Sequence, residues 1–204
     1  YIIGSIKDIK SIQVGDTITH VETPATEPLP GYRRMNPMVY CGFFAADSED
    51  YEDLRDAIEK LALNDSALVY EAESSAVLGF GFRCGFLGMF HMEIIQERLE
   101  REYNLQLVAT APTVVYKIYV SGGEVIEIKN PSEFPDHLKI EKVEEPFVKT
   151  TIITPEEYIG VIMEITKEKR GEYVEMDYIS DKRVKLTYLM PLSEVIFDFF
   201  DKLK

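Results

Sequence analysis

The chain has 204 residues, 46% of them apolar, which suits one large domain or two small ones with filled cores. Its net charge of −14 speaks against stand-alone DNA binding or a free RNA-holding stripe, because basic residues that neutralise phosphates supply much of that affinity. No apolar run reaches the roughly 18 residues of a membrane span, and Tyr1 opens no basic-then-apolar leader, so the chain reads as a piece of a longer protein rather than a secreted precursor.

In chain order, Val14-Gly15-Asp16-Thr17 reads as a turn into a strand through Thr17-Ile18-Thr19, the close of a β-rich domain. Thr23 to Pro37 holds Pro24, Pro28, Pro30 and Pro37 and is expected to run extended as a connector. Met38 to Ala46 is a strand. Asp47-Ser48-Glu49-Asp50 offers an N-cap and first-turn acids to a helix carrying Tyr51, Leu54, Ile58 and Leu61 on one face, stopped at Asn64-Asp65. A strand over Ala67 to Ala72 and a glycine-punctuated strand from Val77 to Cys84 follow. The chain is expected to turn at Gly85 into a helix of about five turns reaching Tyr103, with Asn104 as a left-handed stop. Leu105 to Ala111 reads as a last strand. The order is βαββαβ, the ferredoxin-like split-β-α-β sandwich. Cys41 and Cys84 lie in its apolar strands, as buried free thiols of a reducing cytosol would.

Thr113 to Ile128 predicts a hairpin about Ser121-Gly122-Gly123, and 129–144 a linker ending in a charged run. The βαββα pattern then returns. Phe147 to Ile153 is a strand, and Thr154-Pro155-Glu156-Glu157 combines an N-cap, an N1 proline and a capping-box glutamate. Ile159, Ile162 and Thr166 share a helix face. Val174, Met176 and Tyr178 alternate, as do Val184, Leu186, Tyr188 and Met190, and a helix closes the chain. This second copy stops one strand short, so its sheet is expected to keep an open edge or to pair with another copy.

The run G-F-G-F-R-C-G-F-L-G-M-F-H-M-E-I-I-Q-E-R-L-E-R-E (Gly79 to Glu102) resembles the third domain of elongation factor 4, the LepA-type translational GTPase. The resemblance extends along the whole chain. It separates the chain from elongation factor G, which carries a whole domain where residues 112–144 hold only a hairpin and linker. What it implies is an α+β chain: 1–27 the end of a β-barrel domain, 28–111 a ferredoxin-like domain, 112–144 hairpin and linker, and 145–204 a second, truncated ferredoxin-like domain. It also implies a cytoplasmic parent that hydrolyses GTP with Mg in a G domain outside this chain. That parent would bind the ribosome through rRNA and ribosomal proteins and act on stalled or mistranslocated complexes, in back-translocation or ribosome biogenesis. The family also implies peripheral association with the inner face of the cell membrane.

No G-x-x-x-x-G-K-[ST] loop is present, so no cofactor is expected on this chain and it should hydrolyse nothing by itself. Gly79, Gly81, Gly85 and Gly88 miss dinucleotide spacing, and close packing is the reading preferred for them. His20, His91 and His137 sit on separate elements without metal-ligand spacing. His91 reads as a satisfied core or interface histidine, and Gly85, Phe86, Gly88 and His91 are the candidates for facing the parent's G domain. Ribosome-contact candidates are Arg83 and the basic residues Lys167, Lys169, Arg170, Lys182 and Arg183. Two rival readings remain. One is an RNA-recognition motif, because Gly79-Phe80-Gly81-Phe82 matches the middle of its third-strand signature. The other is a tandem metabolite-sensing module.

Overall fold

The computed structural model describes residues 16–31 and 35–204, which fall in two compact units, Tyr1–Thr110 and Ala111–Lys204. The β-barrel close expected over 1–27 lies largely outside the described residues. Thr17-Ile18-Thr19 is not a strand. Its hydroxyls tie up a loop instead, Thr19 Oγ1 accepting from the Ala25 N–H at 2.8 Å and Thr17 Oγ1 from the Leu29 N–H at 3.3 Å.

The first unit contains β1 (Val39–Ala45), α1 (Tyr51–Asn64), β2 (Val69–Ser75), β3 (Gly79–Phe86), α2 (Met89–Glu102) and β4 (Leu107–Ala109). Its sheet has the order β2-β3-β1-β4 with every neighbouring pair antiparallel. Asp47 accepts from the Glu49 N–H and starts a 3-10 turn that runs into α1. Asp65 ends α1: its own N–H returns to Leu61 O, and its Oδ1 accepts from the Ala67 N–H. Leu54, Ile58 and Leu61 of α1 and Ile95 and Leu99 of α2 close over Cys41, Phe43, Phe82, Cys84 and Phe86, all nearly or wholly buried. Gly85 is not the turn expected of it. It is held in the ladder between Tyr40 and Val69, the corner falls at Leu87-Gly88, and α2 has 14 residues, about four turns. Asn104, at φ 55°, stops α2 as its position predicts.

The second unit opens with a three-stranded sheet. β5 (Tyr116–Val120) and β6 (Glu124–Ile128) form the expected hairpin, but the supposed linker contributes β7 (Ile140–Glu144), which pairs with β5 on its other side. Ile118, Ile128 and Val114 are buried there. Then come β8 (Phe147–Pro155), α3 (Ile159–Glu168), β9 (Glu172–Ser180) and β10 (Arg183–Pro191). A helical stretch made of α4 (Leu192–Glu194), a π-helical turn (Val195–Phe199) and α5 (Phe200–Leu203) ends the chain. Thr154-Pro155 does not cap α3. Pro155 is still registered with Arg183, and the Thr154 hydroxyl turns onto Pro155 O at 3.3 Å, so α3 starts only after a further 3-10 turn. Sheet order is β8-β10-β9, and Val184, Leu186, Tyr188 and Met190 pack under Ile162 and Phe199. The fold is α+β with two ferredoxin-like sandwiches, and β8 has no neighbour, among the described residues, in the place that β4 takes beside β1.

Candidate functional site

The glycine-rich strand is the most distinctive feature of the sequence, and β3 shows what its glycines do. In the register of β1 and β3, Phe44 stands opposite Gly81 and Tyr40 opposite Gly85. A Cβ on Gly81 would lie 2.5 Å from the Phe43 carbonyl oxygen and 2.4 Å from Cδ1 of the Phe44 ring. One on Gly85 would lie 2.8 Å from the Tyr40 ring. The two rings therefore occupy the space above the glycines, and cross-strand contact of this kind is the unit of sheet stabilisation. Gly79 differs from both, because at φ +78° it completes the turn out of β2. A phosphate cradle needs open, convergent N–H groups; these are engaged in strand pairing, so the run does not fit a nucleotide.

The alternation of side chains along β3 also corrects the RNA-recognition reading. Bases stack on rings that stand on the sheet face free of helices. Phe82 is 4% exposed on the helix-covered face, stacked parallel on Tyr51 of α1 with 5.4 Å between centroids. Phe80 leans on the same Tyr51 at the strand's outer end. The opposite face presents Gly81, Arg83 and Gly85 instead.

At the β3–α2 corner, His91 is fully employed. The Leu87 N–H donates to its Nδ1 at 3.0 Å, which leaves the proton on Nε2, and Nε2 lies 2.9 Å from Asp65 Oδ2. Its ring meets Phe86 edge-on at 5.6 Å. Phe86 is buried, Gly85 lies within the ladder, and Gly88 is the extended residue that begins α2.

The basic candidates do not form one patch. Arg83 is only 6% exposed, with Nη1 3.8 Å from Glu73 Oε1 across the β2–β3 pair, so it belongs to the sheet and is no surface contact. Lys182, in the β9–β10 turn, and Arg183, the first residue of β10, lie beside the start of α3, where Lys182 O accepts from the Glu156 N–H. Lys167, Lys169 and Arg170 lie at the other end of that helix, about 15 Å away for ten residues at 1.5 Å each.

Two of these three are already neutralised. Lys169, its side chain 12% exposed, pairs with Asp198 and with Glu194 at 3.5 Å. Arg170 grips Glu145 with two bonds (2.5 and 3.1 Å) and Glu194 with a third (3.0 Å). These contacts hold Lys169 and Arg170 more firmly protonated and push the Asp198 carboxyl below its usual range, the bond to Lys169 being the main cause. Lys167, Lys182 and Arg183 are exposed and take part in no ion pair among the described residues. Sequence reading missed Glu145, Glu194 and Asp198, which no local pattern joins to Arg170.

Residues 142–204 match the family model described as the elongation factor G C-terminus. The chain belongs among the translation elongation factors. It is 56% identical over all 204 residues to elongation factor 4 of Streptococcus gordonii, and 57% identical to elongation factor 4 of Bacillus cereus and of Streptococcus suis. With identity of this order along its full length, the chain belongs to the elongation factor 4 family. It spans about a third of the length of those relatives (34% of the first two and 33% of the third).

Proposed function

We propose that this chain is the central, nucleotide-free portion of a cytoplasmic, ribosome-binding translational GTPase. In that role it relays the state of a G domain elsewhere in the protein to ribosomal contacts. The observation that carries this reading is the identity of 56–57% to elongation factor 4 across the whole chain. In this reading the parent acts on stalled or mistranslocated ribosomes, in back-translocation or in ribosome biogenesis, and GTP and Mg belong to the G domain. Any peripheral attachment to the inner membrane face belongs to the parent as well. Two rigid sandwiches suit a mechanical role, and the His91 corner, ordered by Leu87 and Asp65, is the surface assigned to the G domain. The exposed Lys167, Lys182 and Arg183 are the remaining rRNA contacts.

Co-sedimentation with intact ribosomes across a salt series, beside a fluorescent single-stranded RNA, tests the proposal. Saturable ribosome binding without affinity for the free RNA is expected, weakened by the charge reversals Lys182→Glu and Arg183→Glu. Tight binding to free RNA that Phe80→Ala abolishes would overturn it.

A further inference from the structure

Arg170 stands where a side chain is costly. It is the residue after the α3 C-cap, at φ 55°, a left-handed conformation that helix ends usually assign to glycine. The surrounding bonds are those of a Schellman ending, with the Gly171 N–H on Thr166 O at 2.8 Å and the Arg170 N–H on Lys167 O at 3.2 Å. Strain at a non-glycine residue persists only where the surroundings hold it. What holds Arg170 are two segments distant in sequence, one at Glu145 and one at Ser193-Glu194.

Its Nη1 and Nη2 take both oxygens of Glu145, its Nε takes Glu194 Oε1, and Nη2 reaches Ser193 Oγ at 3.4 Å. Ser193 Oγ itself donates to Glu145 Oε2 at 3.2 Å. Glu145 and Pro146 are the whole of the chain between β7 and β8, and Pro146 O accepts from the Leu192 N–H at 2.8 Å. Lys169, Glu194, Asp198 and Lys202 continue the network along the last helix. The junction between the three-stranded sheet and the second sandwich is thus held at the α3 corner and at the start of α4. Pro146 fixes one torsion of this two-residue link and restricts the residue before it, and the side-chain bonds act on the torsions that remain.

We propose that Arg170 is a clamp that makes the Glu145-Pro146 junction rigid, so that the three-stranded sheet and the second sandwich move as one body. The clamp explains why an arginine occupies a position whose backbone favours glycine. Because it is a cluster of partly exposed ion pairs, concentrated salt loosens it.

The test needs neither ribosome nor nucleotide, so its outcome is independent of the function proposed above. Arg170→Gly removes the side chain while keeping the left-handed backbone, and Glu145→Gln keeps shape while removing the charge. Amide exchange is followed by NMR at Leu192 and at Leu186 in the sandwich core, with spin labels on Glu124→Cys and Asp181→Cys reporting the distance between the two sheets. In both variants the Leu192 amide is expected to exchange about tenfold faster, the loss of some 1.4 kcal/mol of local holding. The distance distribution is expected to broaden, with Leu186 unchanged. In molar salt the unmodified chain is expected to approach the behaviour of Arg170→Gly. An unchanged Leu192 amide and distance distribution would overturn the clamp. Equal acceleration at Leu186 would overturn it too, by reducing Arg170 to a general stabiliser.

Discussion

His91 Nε2 lies 2.9 Å from Asp65 Oδ2, so one imidazole fastens the first turn of α2 to the residue that terminates α1. The same ring takes the Leu87 N–H on its other nitrogen. His91 thereby serves as a cap and a crosslink at once. Removing it leaves a backbone donor and a carboxylate short of a partner.

His91→Ala is therefore expected to cost about 1–3 kcal/mol, each kcal/mol lowering the melting temperature by about 2–4 °C in a chain of this size. His91→Asn puts an acceptor near the Nδ1 position and should recover the Leu87 cap but not the Asp65 bond. Its melting temperature is expected between those of the alanine variant and the native chain. If asparagine were no better than alanine, the cap would carry no weight. In a longer protein with its G domain, loss of ribosome-stimulated GTP hydrolysis beyond the loss of stability would support an interface role for this corner.

Gly81→Ala is expected to be worse than an ordinary strand glycine substitution. The new methyl meets the Phe43 carbonyl as well as the Phe44 ring, and a backbone atom has nowhere to retreat. A cost of about 1–3 kcal/mol follows from overpacking of this kind. Trimming the ring in a Phe44→Ala, Gly81→Ala double variant should relieve only the ring's share, so a double-mutant cycle by urea denaturation is expected to show partial, not complete, compensation. Gly88→Ala, with open space at its Cβ, is the control and should be nearly neutral.

The Lys169–Asp198 pair sets an acid limit. Lys169 holds the Asp198 carboxyl below its ordinary value, so this contribution is complete above the unfolded pKa of about 3.9 and lost as pH falls through the lowered folded value. Asp198 likewise raises Lys169, whose contribution is present below about pH 10.4 and lost as pH climbs through its raised value. Urea midpoints measured at pH 6 and pH 3 should therefore differ more for the native chain than for Asp198→Asn. Equal differences would show the pair to be without effect.

Burial pushes both thiols up: Cys41 and Cys84 face each other across β1 and β3 on the helix side, and neither has measurable exposure. Their contribution to stability is present below the unfolded thiol value of about 8.5 and declines as pH rises above it. A thiol reagent at pH 8 is expected to label neither cysteine except through unfolding, and both at once in denaturant. Fast labelling of either in native buffer would contradict the packing described for the first sandwich.

Both sandwiches were legible because period-two and period-3.6 patterns are local, and Leu54, Ile58 and Leu61 or Val184, Leu186 and Tyr188 announce their faces within one segment. What escaped was set by partners far along the chain. β7 carries only Ile140 and Val143 as apolar residues, which do not alternate, and its existence rests on backbone pairing with β5. The glycines of β3 are conspicuous, yet the rings that require them come from Tyr40 and Phe44, and nothing local gives that register. Lys167 to Arg170 looked like a basic patch because Glu145 and Glu194 are 25 and 24 residues from Arg170. Several of the carboxylates that make the chain acidic thus lie against its own cations, and the net charge of −14 gives no hint of which ones.

The flank of β8 that no described strand covers has a practical side. Val148-Lys149-Thr150-Thr151-Ile152-Ile153-Thr154 is rich in β-branched residues and holds a single charge, the composition of an adhesive strand. At low ionic strength the surplus of negative charge keeps neighbouring molecules apart, and added salt removes that protection. Concentrated stocks in molar salt should turn cloudy sooner than stocks in dilute buffer. A lysine in place of Ile153, exposed on the same strand, should lengthen their shelf life without touching the core.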